Sequence, residues 1–228
     1  MLIGGLQKTS LLDFPGKVST VVFTQECNFR CPYCHNPELV LSRREPLVFT
    51  EVLAFLAQRK SVLEGVVVSG GEPTLHDGLF DFCAAAKSLG YAVKLDTNGS
   101  RPEVLRQLLQ AQLLDYVAMD IKADPRHYPE ALCPRGAGED VWRGIAVLEE
   151  SPVQHEFRVP CVEPFIDTAG FTAIVDEVAH APIFLQAVRG GNVLRPDFFL
   201  KQGRALDADR MEALCAIGRQ RGKDCRVR

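Results

Sequence analysis

Short strand-like runs alternate with helix-like segments along most of this chain. Apolar or β-branched runs predict strands at 18–25, 65–69, 91–96, 116–121, 154–159 and 183–188. Segments with helical character follow at 50–59, 79–89, 102–112, 140–150, 169–180 and 207–221, and Thr50 is expected to cap the first of them. Six such units without an internal repeat predict a parallel α/β fold.

The length of 228 residues fits one large domain over 1–228. In this interpretation residues 1–17 are a lead-in without a strand of their own, and 201–228 form a C-terminal helix and a basic tail. We expect that tail, Arg219–Arg228, to be a solvated end.

Three of the predicted strands alternate charged with apolar residues. Successive strand side chains point to opposite faces, so each of these strands has one apolar and one charged face. The charged positions are Lys94, Asp96, Asp120, Lys122, Glu156 and Arg158. A closed barrel has an apolar interior, and an open doubly wound sheet is apolar on both faces. The pattern therefore predicts an incomplete (β/α)6 barrel that holds a polar, zwitterionic ligand; the alternative is that these charges lie at strand ends and meet solvent.

Cys27, Cys31 and Cys34 lie within eight residues, directly after the first predicted strand. The Cys31–Cys34 pair alone resembles a glutaredoxin dithiol. Together with His35, the pair resembles a c-type haem attachment motif. The three cysteines and His35 could also bind a zinc ion. A dithiol protein does not need Cys27, haem attachment requires export, and structural zinc usually takes a second ligand pair. Three thiolates in a short loop favour a [4Fe–4S] cluster with one iron open to substrate or cofactor.

The rest of the composition excludes several classes of protein. A net charge of −3 argues against nucleic acid as a partner, and neither a signal peptide nor a run of about 20 apolar residues is present, which favours a cytoplasmic protein with no membrane contact. The remaining cysteines occur singly and are expected to be small buried hydrophobes. They are Cys83, Cys133, Cys161, Cys215 and Cys225.

The C-x-x-x-C-x-x-C spacing after a first strand resembles the radical S-adenosylmethionine (SAM) superfamily. Ser69-Gly70-Gly71-Glu72-Pro73, after the second strand, is similar to the Gly-Gly-Glu motif of that family. The resemblance implies that Gly70, Gly71 and Glu72 bind the amino group of SAM. Glycines leave the strand edge bare, so a ligand amine can approach the backbone, and Glu72 can balance its charge.

Further motifs resemble the short activases of glycyl radical enzymes, especially those that act on anaerobic ribonucleoside-triphosphate reductases. They are Asp13-Phe14-Pro15-Gly16, Cys34-His35-Asn36-Pro37, Asp96-Thr97-Asn98-Gly99 and Met119-Asp120-Ile121-Lys122. The resemblance implies cofactor contacts by Tyr33, Asp96, Asn98, Asp120, Lys122 and Arg158. It also implies a monovalent-cation site at Asp96, Thr97 and Asp120. Asp13 is a candidate contact for the partner's loop; the alternative is that residues 13–16 form a plain turn.

Two departures from the activase pattern refine this interpretation. Pyruvate formate-lyase activases carry a histidine after the sixth strand, and here Gln186 is the candidate for its polar contact. Larger activases insert a second cysteine-rich segment, whereas no cysteine lies between Cys34 and Ser69, which predicts a single cluster.

The resemblance implies reductive cleavage of SAM to a 5′-deoxyadenosyl radical, which removes a glycine α-hydrogen from a partner enzyme. Anaerobic ribonucleoside-triphosphate reductase is the expected partner, and a flavodoxin- or ferredoxin-type protein the expected electron donor. No catalytic side chain is implied beyond the cluster and the cofactor. The alternatives are a radical SAM enzyme acting on a small molecule, such as 7-carboxy-7-deazaguanine synthase, and, from another class, a glutaredoxin-like dithiol protein.

Overall fold

The structure is a computed structural model that describes residues 1–228. The strands are β1 (Ile3–Ser10), β2 (Ser19–Thr24), β3 (Gly65–Gly70), β4 (Ala92–Thr97), β5 (Tyr116–Asp120), β6 (Gln154–Glu163), β7 (Ile183–Ala187), β8 (Arg204–Ala205) and β9 (Cys225–Val227). The helices are α1 (Pro37–Val40), α2 (Phe49–Gln58), α3 (Leu79–Ser88), α4 (Pro102–Gln110), α5 (Ala137–Glu149), α6 (Thr168–Glu177), α7 (Phe198–Lys201) and α8 (Ala208–Gln220). One 3-10 turn covers Pro73–Leu75.

The chain divides into two units, which are described separately. The first unit consists of residues 1–28, 38–97 and 103–117, and the second of residues 29–37, 98–102 and 118–228.

In the first unit, β2, β3 and β4 are parallel, and β1 pairs antiparallel with β2. The register places Val21 beside Val67 and Val67 beside Lys94. The β-branched run Val66–Val68 is completely buried, as expected for a central strand of a parallel sheet. Since all three parallel strands end at the same edge, the segments after Thr24, Gly70 and Thr97 start from that edge.

In the second unit, β6, β7 and β9 are parallel, and β8 pairs antiparallel with β6. The register places Arg158 beside Phe184 and Phe184 beside Arg226. Helix α8 begins after Asp207, whose carboxylate accepts a hydrogen bond from the Arg210 amide at 2.8 Å. This is a side-chain N-cap, which satisfies a backbone donor that the helix leaves free.

The predicted alternation of strands and helices is confirmed, but three expectations are wrong. Residues 3–10 form strand β1, because Gly4 and Gly5 obscure its pattern in the sequence while pairing with β2 stabilises it. Helix α2 begins at Phe49, with Val48 at its N-cap and no side-chain cap, so Thr50 lies inside the helix. The basic tail is not only a solvated end, because Cys225–Val227 is strand β9 beside β7.

No helix in the chain combines the length and the apolar composition needed to cross a bilayer.

Candidate functional site

The cysteine loop is held by backbone hydrogen bonds. In the second unit, the Leu194 amide donates to the Cys34 carbonyl and the Arg195 amide to the Pro32 carbonyl, both at 2.9 Å. The Cys34 amide donates to the Cys31 carbonyl at 3.0 Å and closes a turn. The first helix after this turn starts at Pro37 and has four residues. A dithiol at the start of a long helix, which the glutaredoxin interpretation requires, is therefore not present.

The three cysteines differ in exposure. Cys31 is buried, whereas Cys27 and Cys34 are half-buried. No three His, Cys, Asp or Glu side chains converge closely enough to hold a single metal ion. A cube-shaped cluster takes each thiolate on a different iron, so it does not require that convergence. The donor set fits an iron–sulfur cluster better than a preformed zinc site.

Tyr33, between Cys31 and Cys34, has a buried hydroxyl that finds no hydrogen-bond partner within the protein. Its ring packs against Phe165, with ring centroids 5.8 Å apart. Burial raises the pKa of Tyr33 well above its usual value, and the neighbouring Cys31 raises it further. A buried, unpartnered hydroxyl beside two candidate ligands fits a group that supplies the missing contact when it is bound.

Asp120, the last residue of β5, and Lys122 form an ion pair, with Lys122 Nζ 2.7 Å from Asp120 Oδ2. Burial works to lower the pKa of Lys122, but the charges of Asp120 and Cys31 outweigh it, and the pKa is raised. The Lys122 amide donates to the Tyr128 hydroxyl at 2.7 Å. Lys122 therefore stays protonated within electrostatic reach of a candidate cluster ligand.

Gly70 and Gly71 occupy positions where a side chain would not fit. Gly70 has φ 116°, and a Cβ atom there would lie 2.4 Å from the Thr24 backbone. A Cβ atom on Gly71 would lie 1.8 Å from the Glu26 carbonyl oxygen. The Gly71 and Glu72 amides donate to the carbonyls of Thr24 and Glu26 at 2.9 and 2.8 Å, so this turn packs directly on the start of the cysteine loop.

The Glu72 carboxylate is buried and fixed by hydroxyl groups. Its Oε1 accepts hydrogen bonds from Thr74 Oγ1 at 2.5 Å, from Thr97 Oγ1 at 2.7 Å and from the Thr74 amide at 3.1 Å. Thr97 is the last residue of β4, so the ends of β3 and β4 together position this carboxylate. Charge-assisted hydrogen bonds of this kind stabilise a buried anion.

Two more strands carry charged pairs of the predicted type. The Lys94 ammonium is completely buried against Asp96 on β4. On β6, Arg158 Nε lies 2.7 Å from Oε1 of Glu156, whose side chain is 1% exposed. Each pair joins residues two positions apart, which share a strand face.

The last two predicted cofactor contacts lie in the second unit. Asn98 Oδ1 accepts hydrogen bonds from the Ser100 amide at 3.0 Å and from Ser100 Oγ at 2.6 Å, so its side chain is fixed by the following turn. Gln186 is half-buried on β7, in register with Pro160.

Asp13 lies at the other end of the parallel strands. It is in the turn between β1 and β2, before β2 begins, whereas Cys27 follows the end of β2. The Ser10 hydroxyl bonds to the Asp13 carboxylate and accepts the Asp13 amide at 3.2 Å. Its contact with a partner loop stays a prediction.

Three contacts were not anticipated from the sequence. Thr74 bonds to Glu72, Tyr128 bonds to the Lys122 amide, and Arg228 bonds to Glu156. The contact of Thr74 with Glu72 could have been predicted, because Thr74 lies two positions after this capping carboxylate. Tyr128 and Arg228 lie in segments without periodicity, and no sequence pattern identified them.

The five remaining cysteines are all buried, as predicted. Burial raises the pKa of Cys133 to about 11 and those of Cys83 and Cys161 to about 12. These thiols therefore stay protonated near neutral pH. Cys215 Sγ lies 2.9 Å from Cys225 Sγ, and the pair links α8 to β9 as a thiol hydrogen bond.

Comparison with known proteins identifies the family. The model of the Radical SAM superfamily matches residues 21–158. A protein of Methanocaldococcus jannaschii whose name assigns it to the glycyl-radical enzyme activating enzymes is 33% identical over 182 residues, 78% of this chain and 74% of that protein. The pyruvate formate-lyase-activating enzyme of Clostridium pasteurianum is 34% identical over 126 residues, and the match spans 53% of this chain and about half (52%) of that enzyme.

Solved structures agree on the fold. SuiB of Streptococcus suis bound to S-adenosylmethionine matches with a TM-score of 0.66 at 15% identity, over 91% of this chain and 49% of SuiB. TYW1 with a lysine–pyruvate adduct matches with a TM-score of 0.59 at 14% identity, over 89% of this chain and 73% of TYW1. They confirm the predicted fold class, the incomplete parallel α/β barrel of radical SAM enzymes. The chain belongs to the radical SAM superfamily and, within it, to the family of glycyl-radical enzyme activating enzymes.

Proposed function

We propose that this chain activates a glycyl radical enzyme, with Cys27, Cys31 and Cys34 binding one [4Fe–4S] cluster beside a SAM molecule. When bound, the cluster and SAM supply a 5′-deoxyadenosyl radical that removes a glycine α-hydrogen. The residues of the chain bind and orient the cluster and SAM and shield them from water. The expected partner is an anaerobic ribonucleoside-triphosphate reductase.

One observation carries the proposal for the cofactor. Glu72 is a buried carboxylate, it follows two glycines that leave no room for side chains, and three hydrogen bonds fix its Oε1. A buried anion is costly unless a cation or several donors accompany it. The amino group of SAM is a cation whose charge this oriented carboxylate can balance.

The other charged pairs suit the remaining polar groups of SAM. In this proposal, Lys122 and Arg158 attract its carboxylate, while Asp96 and Asp120 accept hydrogen bonds from its ribose hydroxyls. Each of these side chains is already held by an ion pair on its own strand or the segment after it. Fixed rotamers lower the entropy lost on binding.

Further residues complete the proposed site. The Tyr33 hydroxyl, which lacks a partner within the protein, gains one from the bound groups. Asn98 and Gln186 supply neutral hydrogen bonds. A monovalent cation at Asp96, Thr97 and Asp120 is part of the proposal, because oxygen ligands suit such an ion. The proposed contact of Asp13 with the partner's loop lies apart from these groups, because Asp13 precedes β2 whereas Cys27 follows it.

Anaerobic reconstitution of the full chain tests the chemistry. The protein is supplied with iron, sulfide, SAM and a reductant, and 5′-deoxyadenosine is quantified by chromatography. We expect one equivalent of methionine for each 5′-deoxyadenosine. An intact cluster without that product would contradict the proposal.

The partner is tested by electron paramagnetic resonance. Incubation with anaerobic ribonucleoside-triphosphate reductase should give a glycyl radical doublet, and a reductase whose acceptor glycine is replaced by alanine is the control. If SAM is cleaved and the doublet appears on pyruvate formate-lyase but not on the reductase, then pyruvate formate-lyase is the partner. Cleavage without a doublet on any glycyl radical enzyme would instead favour a small-molecule substrate.

A further inference from the structure

The Arg228 guanidinium reaches the same carboxylate oxygen as Arg158. Arg228 Nη1 lies 3.1 Å from Glu156 Oε1, and Arg158 Nε lies 2.7 Å from that same atom. Glu156 is 1% exposed, so its charge requires compensation inside the protein. Arg158 of β6 and Arg228, the residue after β9, therefore share one buried anion.

Strand β9 determines where Arg228 lies. The Arg228 amide donates to the Leu185 carbonyl at 2.8 Å, and the Arg228 carbonyl accepts from the Ala187 amide at 3.5 Å. These bonds place Arg228 opposite Gln186, the residue proposed to replace the activase histidine. The guanidinium carbon lies 3.8 Å from the centre of the Phe184 ring, in cation–π contact.

Phe184 connects this arrangement to Arg158. The two residues are register partners on β7 and β6, so their side chains share one face of the sheet. The Arg228 guanidinium therefore lies over the neighbour of Arg158 and bonds to the carboxylate that orients Arg158. Loss of Arg228 would leave the negative charge of Glu156 less well compensated, and the Arg158 side chain would be less restricted to one rotamer.

We propose that Arg228 is a positioning residue, which holds Glu156 so that the Arg158 guanidinium points at the carboxylate of SAM. This inference rests on the proposed function, because it takes Arg158 as a SAM contact. Arg228 itself does not have to touch SAM.

Arg226 provides a matched control. It lies two residues before Arg228, in β9, and its guanidinium carbon is 5.9 Å from the Phe184 ring centre. It bonds to the exposed Asp224 at 2.7 and 2.8 Å instead of to Glu156. Arg226→Ala thus removes the same charge from the same segment of the chain without removing a contact to Glu156.

The kinetic test compares Arg228→Ala, Arg228→Lys and Arg226→Ala in the reconstituted full chain. We expect Arg228→Ala to raise the KM for SAM about tenfold with a smaller change in kcat, by analogy with outer partners of metal ligands. Added guanidinium ion should lower that KM again, while Arg226→Ala stays close to the wild type. A wild-type KM in Arg228→Ala, or a loss of kcat alone, would overturn the inference.

A double-mutant cycle separates positioning from independent binding. If Arg228 acts through Arg158, Arg228→Ala has almost no further effect on KM in an Arg158→Ala background. Effects that multiply would show that Arg228 binds on its own, and would overturn the positioning role.

A measurement without cofactor keeps this test separate from the proposed function. In the protein free of cluster and SAM, the Arg158 Nε–H is observed by nitrogen-15 nuclear magnetic resonance and assigned with Arg158→Lys. We expect Arg228→Ala to speed its hydrogen exchange and Arg226→Ala to leave it unchanged. Unchanged exchange in Arg228→Ala refutes the inference even if the enzyme cleaves SAM; a wild type that never cleaves SAM refutes the proposed function instead.

Discussion

The ammonium group of Lys94 lies against the carboxylate of Asp96, two residues further along β4, and the Lys94 side chain is completely shielded from water. The same spacing recurs in the Asp120–Lys122 and Glu156–Arg158 pairs. Each pair keeps a cation and an anion on one strand face before any ligand is bound. The charges are therefore preorganised for the zwitterionic ligand that we propose, SAM.

We expect Lys94→Met to lower the free energy of unfolding by about 3 kcal/mol, because it leaves Asp96 without its buried cation. Urea denaturation of the protein without cofactor measures this effect. Lys87→Met is the control, since Lys87 pairs with Asp115 at 2.7 Å where both side chains are about one third exposed. That surface pair should contribute less than about 1 kcal/mol. Equal losses of the free energy of unfolding in both variants would show that the burial of Lys94 does not strengthen its ion pair.

Thr97→Val should weaken SAM binding, because it removes the hydroxyl that donates to Glu72 at 2.7 Å. We expect a stability loss of about 1–2 kcal/mol and a higher KM for SAM. Thr97→Ser keeps the donor and should stay near the wild type in KM. If serine and valine behave alike, the hydrogen bond does not orient Glu72.

Strand alternation predicted which charges share a face, but not that they pair along the strand. Side-chain direction follows from the backbone repeat, whereas pairing depends on rotamers that neighbouring strands allow. The cysteine loop and the Gly-Gly-Glu turn were predicted because the sequence contains them as continuous motifs. Their packing on each other, through Gly71 and Glu26, depends on tertiary structure.

The missed elements are those stabilised by distant residues. Strand β9 has three residues, two of them exposed, and its local propensity predicts a tail. Parallel pairing with β7 stabilises it, and that pairing is not visible in a local window. Strand β1 carries two glycines and two shifts of register against β2, which conceal its alternation.

Stability should fall at alkaline pH because of the buried thiols. Burial raises the pKa of Cys83 to about 12, compared with about 8.5 for an unfolded thiol. The folded state therefore holds this proton more tightly than the unfolded state. The contribution of the protonated Cys83 thiol to the free energy of unfolding is fully present below about pH 8.5 and is lost as pH rises toward the folded pKa. We expect the wild type to lose more stability than Cys83→Ala between about pH 8 and pH 10.5. Urea denaturation under reducing conditions measures this, and parallel pH profiles would contradict it.

Cys27→Ser should abolish the iron–sulfur absorption at about 400 nm after reconstitution, because one iron loses its thiolate. Cys83→Ala is the control: Cys83 is buried in α3 and should leave the absorption intact. A glutaredoxin-like dithiol protein would instead show disulfide reductase activity, and that activity would survive Cys27→Ser. Retention of the full cluster in Cys27→Ser would remove Cys27 from the ligand set.

Gly71→Ala should prevent cluster assembly while the sheet still folds, because its Cβ atom would lie 1.8 Å from the Glu26 carbonyl oxygen, one residue before Cys27. The loop must shift to admit the methyl group, and the Glu72 amide then loses its 2.8 Å bond to Glu26. Gly5→Ala is the control, since the nearest atom to its Cβ is 3.6 Å away, at normal contact distance. We expect Gly71→Ala to bind less iron after reconstitution, with an unchanged far-ultraviolet circular dichroism spectrum, and Gly5→Ala to bind iron normally. Wild-type iron content in Gly71→Ala would show that the cysteine loop tolerates this displacement, and that the glycine serves the approach of SAM alone.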